Sequence, residues 1–282
     1  MRKKEFKNFI KFHQSDSRLP ILGRFIDCDA GYFIGNRFCV ADGVTRDFKN
    51  GDVLRLEISK KCLNNILNYF PHIKELKEVS DLFVKSFTLS NEKKIKKIIE
   101  EANHEIMEYY IGKRIGPNDY LGKNYLGITA AGGYIENEVL TAFNIGDSNI
   151  VVLDKFLDTI YKTEDLVVKN KEKREQRIEK LYNITDGVDN HWNENEFRQF
   201  FRKENINNPS NPYSYGILNG ELTALNYVRY YNWPLIKEAM YVFAYTDGYE
   251  DVMKNKDGIK KLTLGKKVRT KKESTIIGYR RK

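Results

Sequence analysis

The sequence predicts an α+β fold in which strands form the core and helices cover it. Short apolar, β-prone runs recur along the chain and are separated by turns that contain Gly, Asn or Asp. Two longer segments instead carry apolar residues at helical spacing. Three of the strand-like runs end on an Asp beside a Gly, at Asp42, Asp147 and Asp247. We therefore expect sheets whose ends present carboxylates.

Three strand-like runs near the start of the chain predict a meander, at residues 19–26, 31–34 and 37–41. The last of these runs has no polar face and stops at Asp42-Gly43, so Asp42 is expected where a buried strand leaves the core. A carboxylate in that position is a candidate metal ligand. An ordinary Asp-Gly hairpin turn is the alternative interpretation of the same dipeptide.

Apolar residues at helical spacing predict helices at residues 54–70 and 90–111, which would cover a sheet. Further strand-like runs follow along the chain, at residues 125–135, 138–145, 149–153 and 241–245. Within the first of them, Gly132-Gly133 is expected to mark a bulge or a close approach of neighbouring backbones.

The pattern becomes less regular between residues 155 and 232, where Asn- and Lys-rich segments surround helices predicted at 169–182 and 194–202. A chain of 282 residues with 41% hydrophobic residues can bury a substantial core. We therefore expect a single domain over residues 1–282, with a variable insertion or flap at about 155–232.

The cysteine content and the hydropathy pattern limit the class of protein. Cys28, Cys39 and Cys62 are an odd number without a C-x-x-C spacing, so neither a disulfide framework nor a zinc site is expected. No run of about 18 uninterrupted apolar residues is present, and the first residues lack the apolar segment of a leader. We expect a cytoplasmic protein that does not associate with membranes.

The net charge of +9 is concentrated in the basic segment at residues 260–282. That segment holds ten Lys or Arg and one acid, Glu273, so the rest of the chain is neutral overall. A basic segment can contact nucleic acid, an acidic partner or an anionic surface. Because aromatic residues are not interleaved there, a solvated strand is the favoured interpretation and nucleic-acid binding is not expected.

A fourth acidic cluster, Asp27-Cys28-Asp29, lies just upstream of Asp42. Mg²⁺ and Mn²⁺ prefer several carboxylate oxygens, with waters that complete the coordination shell. Carboxylates from separate segments can meet at one ion only if the fold brings the ends of the strands together. The acidic turns are therefore candidates for one shared metal site.

The order of these motifs resembles that of the metal-dependent serine/threonine protein phosphatases of the 2C class, in a divergent prokaryotic form. The resemblance spans most of the chain. The matching segments are Arg24, Cys28-Asp29, Asp42-Gly43, Gly127-Ile128-Thr129-Ala130, Gly146-Asp147-Ser148, Thr246-Asp247-Gly248 and Glu273-Ser274-Thr275. The resemblance implies two packed antiparallel β-sheets flanked by helices, with a Mn²⁺ or Mg²⁺ site of two ions, or three, at one end of the sandwich.

The implied activity is hydrolysis of phosphoserine and phosphothreonine monoesters by a water that bridges two metal ions. In this scheme Asp42 is the bridging ligand and catalytic residue, and Arg24 is a catalytic residue that binds the phosphate through a bidentate fork. The implied metal ligands are Asp29, Asp42, the carbonyl of Gly43, Asp247 and Glu273. Asp147 and Asp251 are implied as ligands of a third ion or as side chains that support the site.

The sequence also departs from the family pattern. Lys272 stands where the family has its last acidic ligand, and Cys28 replaces an acid that works through metal-bound water. A catalytically inactive scaffold that binds a phosphoprotein or an acidic partner is therefore the alternative function. The resemblance implies a phosphorylated protein as substrate, such as a Ser/Thr kinase or one of its targets, and we expect the chain to be a monomer.

Overall fold

The fold is a computed structural model that describes residues 4–6, 9–14, 28–43, 75, 77–113, 127–191, 194–270 and 274–281. Within these residues the strands are β1 (Lys4–Phe6), β2 (Phe9–Gln14), β3 (Ala30–Ile34), β4 (Arg37–Gly43), β5 (Ile128–Glu136), β6 (Val139–Ile145), β7 (Asn149–Asp154), β8 (Thr159–Lys162), β9 (Arg229–Pro234), β10 (Ala239–Tyr245) and β11 (Ser274–Arg280). They form two antiparallel sheets, in the orders β1-β2-β11-β10-β7-β8 and β3-β4-β5-β6-β9.

The helices, again among the described residues, are α1 (residues 77–89), α2 (Ile95–Lys113), α3 (Leu166–Lys169), α4 (Lys171–Tyr182), α5 (Val188–His191), α6 (Asn195–Asn205), α7 (Glu250–Met253) and α8 (Lys256–Thr263). In the described part of the chain no helix is both long and apolar enough to cross a membrane.

The two sheets pack face to face because alternate residues of each strand are apolar and point inward. The inner face of the first sheet contributes Phe9, Val242 and Ile277, and that of the second contributes Phe38 and Val40, all buried in one cluster. This cluster is the core of a β-sandwich.

Helices cover both outer faces. α1 and α2 bury residues such as Phe83 and Ile99 against the second sheet, and α8 buries Ile259 and Leu262 against the first. The prediction of an α+β fold with two packed antiparallel sheets and helices outside is confirmed.

The β3–β4 hairpin turns at Gly35-Asn36, where Gly35 has a φ of +57°, and its register pairs Ala30 with Ala41. Two predicted elements, residues 19–26 and 54–70, lie outside the described residues. The predicted strands at 31–34 and 37–41 are confirmed.

The Gly132-Gly133 pair lies in β5, which keeps an unbroken register with both β4 and β6. The prediction of a bulge is therefore wrong, and the prediction of a close approach is confirmed. A Cβ atom at Gly132 would lie 2.6 Å from the carbonyl oxygen of Phe38. Glycine is used here because the neighbouring backbone leaves no room for a side chain.

α2 begins at Ile95, later than the predicted start at residue 90, and Glu92 lies shortly before it. The Glu92 carboxylate accepts hydrogen bonds from the backbone N–H groups of Lys93 at 2.8 Å and Lys94 at 2.9 Å. Those bonds, together with the Lys97 ammonium, lower the pKa of Glu92 to about 2. An acid at a helix start satisfies N–H groups that have no partner within the helix.

The segment at 155–232, which the sequence predicts to be a variable insertion or flap, contains α3 to α6 and a small apolar cluster formed by Ile178, Val188, Phe197 and Phe201. The predicted helices at 169–182 and 194–202 correspond to α4 and α6. The basic segment at 260–282 includes the end of α8 and all of β11, which lies between β2 and β10 inside the first sheet.

Candidate functional site

Asp29 lies directly before β3 and is completely buried. Its Oδ2 atom accepts a hydrogen bond of 2.6 Å from the hydroxyl of Thr246, at the end of β10. The same hydroxyl oxygen accepts a 2.9 Å bond from the backbone N–H of Thr275 in β11. These bonds join the carboxylate before β3 of the second sheet to the end of β10 and the start of β11 in the first sheet, so Asp29 lies at one end of the sandwich.

Asp42 reaches the same end because of strand register. Ala30, the first residue of β3, pairs with Ala41 of β4. Because the strands are antiparallel, Asp29, which precedes Ala30, lies next to Asp42, which follows Ala41. A side-chain hydrogen bond with Asp42 lowers the pKa of the Asp29 carboxyl. The Asp-Gly dipeptide therefore ends a strand beside a second acid.

The pKa of Asp29 is raised to about 6, first by burial and to a smaller extent by the negative charge of Asp247. The bonds from Thr246 and Asp42 and the proximity of His13 oppose that shift. Asp247 begins the short 3-10 turn Asp247–Tyr249 that directly follows β10. Asp29, Asp42 and Asp247 thus come from three segments and act on one another electrostatically.

Asp147 lies in the turn between β6 and β7, beside Gly146. The pKa of Asp147 is also raised to about 6, first by burial and then by the charge of Asp247, while a hydrogen bond from Thr129 lowers it. Asp247 therefore lies between two carboxyl groups whose pKa values are raised. A site that concentrates negative charge in this way is stabilised by a cation.

Gly146 forms this turn with a φ of +75°, and a Cβ atom there would lie 2.4 Å from Cγ2 of Thr129. We expect Gly146→Ala to lower the free energy of unfolding by about 2 kcal/mol or more, because a left-handed backbone and a steric clash add together. Gly187→Ala is the matched control, since Gly187 has a φ of +93° and no atom within 4 Å of its Cβ position. Urea unfolding of both variants measures the difference. An equal decrease in the free energy of unfolding would show that the structure accommodates the Cβ atom beside Thr129 without an energetic penalty.

Two buried carboxylate oxygens bear on whether the residues present fit a cation. Oδ1 of Asp29 and Oδ1 of Asp147 are buried and have no hydrogen-bond partner among the described residues. A buried carboxylate oxygen without a partner is costly unless a positive ion or a donor compensates it. Hard carboxylate oxygens are also the donors that Mg²⁺ and Mn²⁺ prefer, so these residues fit such an ion.

The predicted ligand set is brought together only in part. No three His, Cys, Asp or Glu side chains in the described part of the chain form a group that could hold a metal ion by themselves. Two of the predicted site residues, Arg24 and Glu273, lie outside the described residues. Gly43 ends β4 beside Asp42. Asp251 is exposed on α7, and among the described residues no hydrogen bond joins it to the other acids.

Sequence reasoning did not find Asp165, an acid whose charge acts on Asp147. Asp165 caps α3 by accepting a 2.9 Å hydrogen bond from the N–H of Val168, and burial and the charge of Glu250 raise its pKa. The position of Asp165 before an apolar turn is a helix-start signal, but nothing local in the sequence shows that this helix begins beside the carboxylates.

His13 was also not predicted. It lies in β2, and its Nδ1 atom is 2.7 Å from the hydroxyl oxygen of Thr275. Through Thr275 and Thr246 it connects to the Asp29 carboxylate. This chain of contacts crosses three strands, so the sequence offers no signal for it.

No protein-family model and no curated protein matches this sequence. Solved structures do match it along almost its whole length. Serine/threonine phosphatase Stp1 from Staphylococcus aureus is 13% identical, with 100% of this chain and 98% of that chain covered and a TM-score of 0.53. This chain has the fold of bacterial serine/threonine phosphatases.

Two further structures support this statement about the fold. The structure of a mutant bacterial serine phosphatase matches with a TM-score of 0.54 and a sequence identity of 11%. The match covers 99% of this chain and 100% of that chain. A bacterial serine phosphatase described without a mutation is 15% identical with a TM-score of 0.51, and 96% of each chain is covered.

Proposed function

We propose that this chain hydrolyses phosphoserine and phosphothreonine monoesters on a protein, in a reaction that depends on Mn²⁺ or Mg²⁺. The observation that carries the proposal is that Asp42 and Asp247, from separate segments, both interact with the buried carboxyl of Asp29, within a fold that solved serine/threonine phosphatases share. The substrate class is a phosphorylated protein, such as a Ser/Thr kinase or one of its targets, and the chain acts as a cytoplasmic monomer.

Asp29, Asp42 and Asp247 would hold the ions, with the carbonyl of Gly43, and Asp147 would lie beside them. When bound, two such ions supply Lewis-acid chemistry, because they neutralise phosphoryl charge and lower the pKa of water. Several carboxylates in one place would repel a phosphate dianion in the absence of cations. The acidic site therefore suits an anionic substrate only in its metal-loaded form.

The chain's own residues fix the geometry of the acids. The Thr246 hydroxyl donates a hydrogen bond to Oδ2 of Asp29. Oδ1 of the same carboxylate therefore remains for a ligand. The bond from Thr275 N–H holds the Thr246 hydroxyl in that orientation. Asp29 is thus oriented before any ion arrives, and preorganised ligands lose less freedom on binding.

The test of the proposal is hydrolysis of p-nitrophenyl phosphate and of a phosphothreonine peptide by the purified chain, with added Mn²⁺, with added Mg²⁺ and with excess EDTA. We expect turnover with either metal and none in EDTA. Full turnover in EDTA would remove the metal from the mechanism, and no turnover under any condition would favour the alternative function.

The alternative is an inactive scaffold that binds a phosphoprotein or an acidic partner. One observation favours it: the described residues contain no group of three acids or other ligands that is complete for a metal ion. Binding of a phosphothreonine peptide without turnover at saturating Mn²⁺ would support the scaffold. Isothermal titration with the phosphorylated and unphosphorylated peptides distinguishes the two functions.

Arg24 is the proposed phosphate-binding residue, and it gives a separate prediction. We expect Arg24→Lys to raise KM about tenfold, since Lys keeps the charge but loses the two-pronged hydrogen bond to phosphate oxygens, a difference of about 1.4 kcal/mol. Arg280→Lys on the exposed part of β11 serves as the control substitution. Steady-state kinetics on one phosphopeptide measures both, and an unchanged KM for Arg24→Lys would rule out this role.

A further inference from the structure

A cavity of about 290 Å³ lies in the insertion, between α3, α4, α5, α6 and the loop that follows α6. Its apolar walls are formed by Val167, Val188, Phe201 and Tyr215, and Arg174 of α4 also lines it. We call it the Arg174 pocket. Its volume is near the lower end of the range of about 300–1,000 Å³ that small-molecule sites occupy.

Arg174 is almost completely buried, with 2% of its surface exposed. Its Nη1 donates to the carbonyls of Leu166 at 3.4 Å and Tyr213 at 3.2 Å, and its Nη2 donates to the carbonyl of Val167. The Nε–H group is buried and has no acceptor among the described residues. Three of the five N–H donors are therefore used, and the unused ones belong to the adjacent atoms Nε and Nη2.

The charge of Arg174 is not neutralised by a direct partner. In the described part of the chain no carboxylate forms an ion pair with it, and its guanidinium instead stacks 4.9 Å from the ring centre of Tyr215. Of the acids that line the pocket, Glu175 pairs with Lys171 at 3.6 Å and Asp189 is exposed to solvent. A buried cation without a counter-ion is costly.

We propose that the Arg174 pocket binds the carboxylate or phosphate group of a small organic anion, whose apolar body packs against Val167, Val188 and Phe201. The adjacent N–H groups on Nε and Nη2 form the side-on fork that binds such a group through two parallel hydrogen bonds. The anion supplies a counter-charge in direct contact with Arg174, whereas the carboxylates of Glu175 and Asp165 act on it without forming an ion pair. Burial lowers the pKa of Arg174, which agrees with a cation in need of a partner.

The pocket is within electrostatic reach of the candidate active site. Burial raises the pKa of Tyr215, and the charge of Asp147 contributes to that shift. The anion can therefore come from either of two sources: a free organic acid, or an acidic side chain next to the phosphorylated residue of a bound protein. The second source rests on the proposed phosphatase function, and the first does not.

The test uses the full chain labelled with ¹⁵N, with benzoate as the anionic probe and benzyl alcohol as the neutral one. The readout is the Nε–H resonance of Arg174, assigned by its loss in Arg174→Lys. We expect a saturating shift with benzoate, with a Kd of about 1–10 mM for a ligand of this size, and none with benzyl alcohol. No saturating shift with benzoate, or an equal shift with both probes, would overturn the proposal.

A second variant keeps the test decisive if Arg174→Lys does not fold. Val167→Phe fills the pocket without changing the backbone carbonyl that Arg174 uses, so we expect benzoate to bind at least tenfold more weakly. Val168→Phe is the matched control, since Val168 lies next along α3 and is 65% exposed. Equal benzoate affinity in wild type and Val167→Phe would place the binding elsewhere.

Competition identifies the source of the anion. Phosphoserine peptides with Glu or Gln beside the phosphorylated residue are added to the benzoate complex in the presence of Mn²⁺. Displacement by the Glu peptide alone supports a substrate side chain, and displacement by neither supports a free organic acid. Because these measurements record binding, they remain decisive even if the chain shows no phosphatase activity.

Discussion

Replacing Asp42 or Asp247 by Asn is expected to reduce phosphopeptide turnover by about a thousandfold or more, a loss of about 4 kcal/mol of transition-state stabilisation. Each substitution removes a negative charge from the place where Asp29, Asp42 and Asp247 meet, while side-chain volume stays almost unchanged. The fold should therefore survive. Initial rates at saturating Mn²⁺ and a thermal melt of each variant measure the two parts of the prediction.

Asp257→Asn is the control for these variants, because Asp257 is an exposed acid in the first turn of α8. We expect it to keep the wild-type rate. Cooperative melting together with near-wild-type rates in Asp42→Asn and Asp247→Asn would mean that the reaction takes place elsewhere. Loss of cooperative melting would instead assign these acids a role in folding.

Local sequence signals were sufficient for β3 to β7 and β10, and for the acids that end β4 and follow β10, but not for β1, β2, β8 and β9. Asp42 and Asp247 were predicted because each follows an apolar run and precedes a Gly, a pattern that depends only on neighbouring residues. The structure places both at the same end of the sandwich as Asp29. Asp42 lies beside Asp29 because β3 and β4 pair antiparallel, which brings the end of one strand beside the start of the other. Asp247 follows a strand of the other sheet, so its position near Asp29 depends on how the two sheets pack.

Some features that were not predicted have a local sequence signal, and others have none. α1 carries Val79, Phe83 and Phe87 at helical spacing, all completely buried, so the signal was present in the sequence and was overlooked. The hydrogen bond from Thr246 to Asp29 joins residues that are 217 positions apart, and no local pattern can predict such a contact. Contacts of this second kind orient the acids, so the sequence can propose candidate site residues but cannot predict how their side chains are held.

The metal-free protein should be more stable with Asn than with Asp at position 29 when the pH is high. The ordinary pKa of an Asp side chain is near 4, and burial raises that of Asp29 to about 6. Between these two values the folded state holds a proton that the unfolded state has already released. The contribution of Asp29 to stability is therefore complete below about pH 4 and is lost as the pH rises through about 6.

Asp29→Asn removes this penalty and keeps an oxygen that can accept the Thr246 hydrogen bond. At pH 8 in EDTA we expect the free energy of unfolding of the variant to exceed that of wild type by up to about 3 kcal/mol. This difference corresponds to a Tm that is roughly 5–10 °C higher. At pH 4 the difference should vanish. Thermal melts of both proteins across this pH range, with Asp257→Asn as the exposed control, measure the gain.

Addition of Mn²⁺ at pH 8 should reverse this order of stability. An ion held by Asp29, Asp42 and Asp247 stabilises the folded state by mass action, and it interacts more strongly with the carboxylate than with the amide. Wild type should therefore gain more in Tm than Asp29→Asn does, and the gain should grow with the Mn²⁺ concentration. Equal gains in the two proteins would show that the ion binds without Asp29. A variant that melts below wild type at pH 8 in EDTA would show that the charge of Asp29 is compensated within the chain itself.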